Sequence, residues 1–100
     1  MIADTINQRI NEALKKGDSV RLSTLRLLST ALHNEEIAKQ KKLSEVEEIV
    51  VVRRETKFRE EAIEAYEKGG RPDAAEKEKQ ELAILQEFLP AHLSEEELAK

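Results

Sequence analysis

The 100-residue sequence predicts an all-α fold: a bundle of four helices over about 3–16, 19–40, 45–68 and 73–89, with the start of a truncated fifth helix at 95. Leu, Ile, Val and Ala recur at helical spacing along most of the chain, the primary signal of amphipathic helices. Glycine and proline stand only where elements should stop, at Gly17, Gly69, Gly70, Pro72 and Pro90. Charged residues make up 38% and aromatics 3%, so the polar positions read as helix surfaces around an aliphatic interior rather than as disorder.

In the first helix, Ile2, Ile6, Ile10, Ala13 and Leu14 form one apolar stripe, and Gly17 follows Lys15 and Lys16 as a C-terminal stop with cations in the last turn. Asp18 or Ser19 caps the second helix, which at about 1.5 Å per residue is roughly 33 Å long. Leu22, Leu25, Leu28 and Leu32 form one stripe on it, while Val20, Leu27, Ala31 and Ala38 form another on nearly the opposite side. A helix apolar on two sides is expected between others, so this one is expected at the centre of the bundle.

Ser44 with Glu47 spells a capping box for the third helix. The run Ile49–Val52 has strand-like composition, but Val46, Ile49 and Val50 followed by Phe58, Ala62, Ala65 and Tyr66 keep the helical period. Gly69 and Gly70 close that helix. Pro72 or Asp73 opens the fourth, with Leu82, Leu85 and Leu89 on one face, and Pro90 ends it. Ser94 and Glu97 form a further capping box with only three residues behind it, the mark of a helix cut short. Residues 1–90 are therefore expected to form one helical unit, and 91–100 a linker with the first turn of a missing small helical domain.

Cysteine is absent, which excludes a disulfide framework and thiolate metal sites and fits a cytoplasmic location. The longest wholly apolar run has four residues, far short of a membrane span. His33 and His92 lack the spacing of a second His ligand, so no metal and no cofactor is expected. Ser23, Thr24, Ser29 and Thr30 lie near Arg26 and His33 without a turn to present a nucleophile, and read as small residues that let helices approach. No catalytic residue is assigned.

Charge is uneven. Residues 1–60 hold 12 Lys and Arg against 10 Asp and Glu, a balance of +2, whereas 61–100 hold 5 against 11, a balance of −6. Glu35–Lys39, Glu55–Arg59 and Glu64–Lys68 each place Glu four residues before a cation, the favourable helical order. Lys39, Lys41, Lys42, Arg53, Arg54 and Lys57 remain as the candidate polyanion-binding set, since affinity for phosphates comes from clustered cations and not from mean charge. Arg53 and Lys57 lie one turn apart with like charge, which calls for an acidic neighbour such as Glu60 or Glu61, or for a nucleic-acid contact.

The segments RLSTLRLLSTALHNEEI (21–37), RRETKFREEAIEAYEKGGRPDAAEKEKQELAIL (53–85) and FLPAHLSEEEL (88–98) resemble the YqeY family, whose domain is similar to the C-terminal tail of the GatB subunit of glutamine-dependent aminoacyl-tRNA amidotransferase. The resemblance implies an all-helical accessory domain, non-catalytic by itself, that binds tRNA or a tRNA-handling protein. The family label also carries carbon–nitrogen ligase activity with glutamine as amido-nitrogen donor, the alternative reading. A third is a protein-interaction module capable of self-association.

Overall fold

The computed structural model describes residues 2–90 and contains four helices: α1 (Ile2–Lys16), α2 (Ser19–Lys39), α3 (Glu45–Lys68) and α4 (Pro72–Gln86). No strand occurs among the described residues. The expected fifth helix at 95, the linker over 91–100, the Ser94–Glu97 box and His92 lie outside them.

Each boundary follows from local chemistry. At the end of α1, the amide of Asp18 donates to the carbonyl of Ala13 at 3.0 Å, a closure that requires Gly17 at φ +71°. Asp18, not Ser19, then caps α2 by accepting the Arg21 amide at 3.0 Å. Gln40 ends α2 in the left-handed conformation at φ +57°, where its amide and that of Lys41 satisfy carbonyls of the last turn. The capping box of α3 forms in both directions, Glu47 N–H to Ser44 Oγ at 3.2 Å and Ser44 N–H to Glu47 Oε1 at 2.8 Å.

The Ile49–Val52 run is helical, and its period shows directly: Val51 and Val52 are wholly buried while Val50 faces solvent. Pro72 occupies the first turn of α4, where a missing amide donor costs nothing. That helix stops at Gln86, short of the expected Leu89. Glu87, Phe88 and Leu89 instead donate to carbonyls three residues back, a tighter turn that swings Phe88 and Leu89 onto the core ahead of Pro90.

Helix α2 packs against each of the other three, as its central position requires. The main core joins Ile6, Leu28, Leu32, Leu43, Val51, Val52 and Leu85, and a second cluster joins Ala13, Leu25 and Ile84. One apolar stripe of α2 supplies its buried centre, while of the other stripe Val20 and Ala31 pack at the core's edge. Leu25, Leu28 and Leu32 are buried, whereas Leu27 is 51% exposed and Ala38 faces solvent. Leu14 likewise leaves the α1 stripe and is exposed. The helices pack into a flattened body with extents of 42 × 39 × 27 Å.

Candidate nucleic-acid interface

Six cations were singled out by sequence, and the structure divides them. Lys39 ends α2 and reaches across to α3, donating to Glu47 Oε2 at 2.8 Å while lying 3.8 Å from Glu35. Lys41 approaches the same Glu47 oxygen at 3.6 Å. Arg54 bonds back from α3 to Glu35 at 3.2 Å. The α2–α3 hairpin thus carries a chain of three cations threaded on two carboxylates, closed below by buried Leu43.

The electrostatics match the geometry. The Lys39 ammonium, and after it the Ser44 amide, hold the Glu47 carboxyl at about 2. Conversely, the hydrogen bond to Glu47 raises the Lys39 ammonium above its ordinary range. Both stay charged at any physiological pH, so the hairpin keeps a fixed pattern of alternating sign with one positive charge in excess among these five groups.

Of the remaining three, Lys42 follows Lys41 in the same link, and Arg53 and Lys57 lie on α3. A helix turns about 100° per residue, so Arg53 sits on a different flank of α3 from Arg54, and Lys57 shares that flank with Arg53. Lys42 and Lys57 are exposed and make no ion pair among the described residues. The set therefore forms two groups, Lys39, Lys41, Lys42 and Arg54 at the hairpin and Arg53 with Lys57 along another flank of α3.

Several contacts escaped sequence reasoning because their partners are remote. Arg59 does not pair with Glu55 but turns inward to α4, where its Nε lies 2.9 Å from Glu81 and 3.6 Å from Glu78. At these approaches Nε donates no well-directed hydrogen bond, and Glu78 Oε2 is buried without a donor. Burial first, then the hydrogen bond and charge of Glu81, push the Glu78 carboxyl above its ordinary range, against the pull of Arg59 and Lys77. Arg21 forks onto Glu87 with bonds of 3.1 and 2.6 Å. Arg9 lies 4.8 Å over the Phe88 ring.

Nucleophile candidates are engaged otherwise. The hydroxyls of Ser23 and Thr24 both donate to the Val20 carbonyl, at 3.1 and 2.8 Å, and that of Thr30 to the Arg26 carbonyl at 3.0 Å. Only Thr24 is a buried packing residue; Ser23 and Thr30 face solvent beside Arg26 and Leu27 in a shallow groove, so they do not serve helix contact as expected. An open, mixed-charge cleft of about 440 Å³ runs between α1 and the start of α2, lined by Gln8, Arg9, Glu12, Lys16, Asp18 and Arg21. No group of three His, Asp or Glu among the described residues is arranged to hold a metal ion, and no described helix is long and apolar enough to cross a membrane. His33 is exposed, 4.0 Å from Glu36.

A family profile described as Yqey-like protein matches residues 3–100. Among curated proteins, the chain is 27% identical over 89 residues to the uncharacterized protein C22F3.15 of Schizosaccharomyces pombe, an alignment covering 89% of this chain and 72% of that one.

Proposed function

The chain belongs to the Yqey-like protein family, and from that membership we propose that it is a non-catalytic accessory domain that binds tRNA through the basic α2–α3 end. The observation that carries this reading is the hairpin itself. Lys39, Lys41 and Arg54 are held at fixed spacing on a rigid helical frame by Glu35 and Glu47, with Lys42 exposed in the same link. Phosphate oxygens at that edge would exchange with carboxylates already seated on the cations, so the contact is weak, reversible and strongly salt-dependent, in keeping with an accessory role. Helix α4 carries Asp73, Glu76, Glu78 and Glu81 against Lys77 and Lys79, a balance that disfavours a polyanion on its side.

Gel shift against tRNA over a salt series tests the reading. Retardation at low salt that is lost when Lys41, Lys42, Arg53 and Arg54 are replaced with Glu supports it. Absence of retardation at low salt, or retardation indifferent to those four changes, removes it.

A second reading, a protein-interaction module, is favoured by the large aliphatic and aromatic side chains left on the outside: Leu27, Ile37, Val46, Val50 and Phe58 are each more than half exposed. Of these, Val46 and Val50 lie one turn apart on α3, and grouped apolar side chains of this kind mark contact sites where single ones do not. Light scattering and pull-down distinguish the two; a strict monomer without a protein partner counts against this one.

A further inference from the structure

Arg59 marks the side of α3 that faces α4, and the opposite side of the helix is exposed. Val50, Arg54, Lys57, Glu61, Glu64 and Lys68 all lie there, with Phe58 beside them at 54% exposure. At about 100° per residue these six positions fall within an arc of about 80°, centred opposite Arg59. Their spacing alternates four and three residues, the rhythm of a helix seam that packs against a second helix. Lys57 and Glu61 make no ion pair among the described residues, whereas Arg54 and Glu64 pair with Glu35 and Lys68.

The order of charge along this seam is self-complementary. Lys57 and Glu61, Arg54 and Glu64, and Val50 and Lys68 are each placed symmetrically about position 59. A second α3 laid antiparallel over the first, about a twofold axis through that point, sets Lys57 and Arg54 against carboxylates, and does so twice because the contact is isologous. A parallel copy sets like charge on like. In the antiparallel order Val50 meets the aliphatic stem of Lys68, and the Phe58 rings, one residue from the axis, meet each other.

We propose that a second copy of this chain docks on this face, α3 antiparallel to α3, with Lys57 on Glu61 of the partner subunit, Arg54 on Glu64 of the partner subunit and the two Phe58 rings in contact at the axis. The proposal rests on the protein-interaction reading and names its partner. Exposed ion pairs are individually weak and are screened by salt, so the dimer is a species of low salt and high concentration. The hairpin cations Lys39, Lys41 and Lys42 take no part in it.

Sedimentation equilibrium of the full chain at low salt, over rising concentration, tests it. The mass is expected to climb from 11.4 kDa toward twice that value and to fall back as salt is added. Lys57→Glu or Glu61→Lys alone, each checked for helicity by circular dichroism, is expected to stay at the single-chain mass, because each sets like charges together on both sides of the axis. An equimolar mixture of the two variants restores both pairs and is expected to regain the dimer mass, as is the double variant. A parent chain that stays monomeric, a dimer that survives either single change, or a mixture that stays monomeric overturns the proposal. Each of these removes this contact without removing the protein-interaction reading, which a partner on another face still satisfies.

Discussion

The carboxylate of Glu48, on α3, accepts the backbone N–H of Ile2 at 2.9 Å, and its other oxygen takes the N–H of Ala3 at the same distance. One buried acid thereby caps a helix that begins more than forty residues earlier and satisfies amides that have no partner within α1. Replacing it with Leu keeps the volume and orphans both amides. Hydrogen bonds to a charged group contribute about 1.5–3 kcal/mol each, so Glu48→Leu should lower stability by at least about 2 kcal/mol in urea melts and speed amide exchange in the first turns of α1. Unchanged exchange there would show that the cap is dispensable.

Glu78 is expected to weaken the neutral-pH fold. Its carboxyl is raised in the folded state by burial beside Glu81, so the folded chain holds this proton more tightly than the unfolded one. That contribution is fully present below the ordinary value of 4.5 and is lost as pH rises through the raised value. Glu78→Gln should therefore match the parent in melting temperature at acid pH and exceed it increasingly as pH rises to neutrality. A gap that is constant with pH contradicts this.

Arg59 is the counterpart of that strain. Arg59→Ala leaves the Glu78 and Glu81 carboxylates together with no cation between α3 and α4, a loss of about 3–5 kcal/mol for breaking a mostly buried pair. Adding Glu78→Gln to Arg59→Ala should recover part of it, and denaturant melts of the double variant measure the recovery.

Glu47 acts with the opposite sign. Held at about 2 by Lys39 and Ser44, it stabilises the hairpin above the ordinary value of 4.5, and the contribution fades as pH falls through about 2. Glu47→Gln should flatten the acid limb of the stability profile and, by freeing the Lys39 ammonium from its raised state, also flatten the alkaline limb above lysine's ordinary value of 10.5, as followed by circular dichroism.

The two stripes of α2 differ in consequence. Leu25→Ala empties a fully buried site and should cost about 2–5 kcal/mol. Leu27→Ala, on the exposed side, should stay within about 0.5 kcal/mol.

Element starts and stops were legible in the sequence because caps are local: Ser44 with Glu47, Gly17 and the glycine pair act within a few residues of themselves. The period of α3 was legible for the same reason, since Val51 and Val52 turn inward while Val50 does not. What resisted reading depended on distant partners. Glu48 looks like one more surface acid until α1 arrives over it, and Arg59 prefers two carboxylates on α4 to its own i−4 neighbour. The second α2 stripe was half right, Val20 and Ala31 packing at the core's edge while Leu27 and Ala38 face solvent, because hydrophobicity marks what a helix can bury, not what the described fold covers. Spacing along the sequence likewise left open that Arg54 reaches back to Glu35 on α2, which only tertiary packing decides.

The salt dependence of tRNA affinity addresses the functional account most directly. Fluorescence anisotropy of labelled tRNA, titrated with the chain at several salt concentrations, should give log affinity falling linearly with log salt, and replacing Lys41 and Lys42 with Ala should reduce that slope by about 2. An affinity indifferent to salt, or a slope unchanged by the two substitutions, would contradict it.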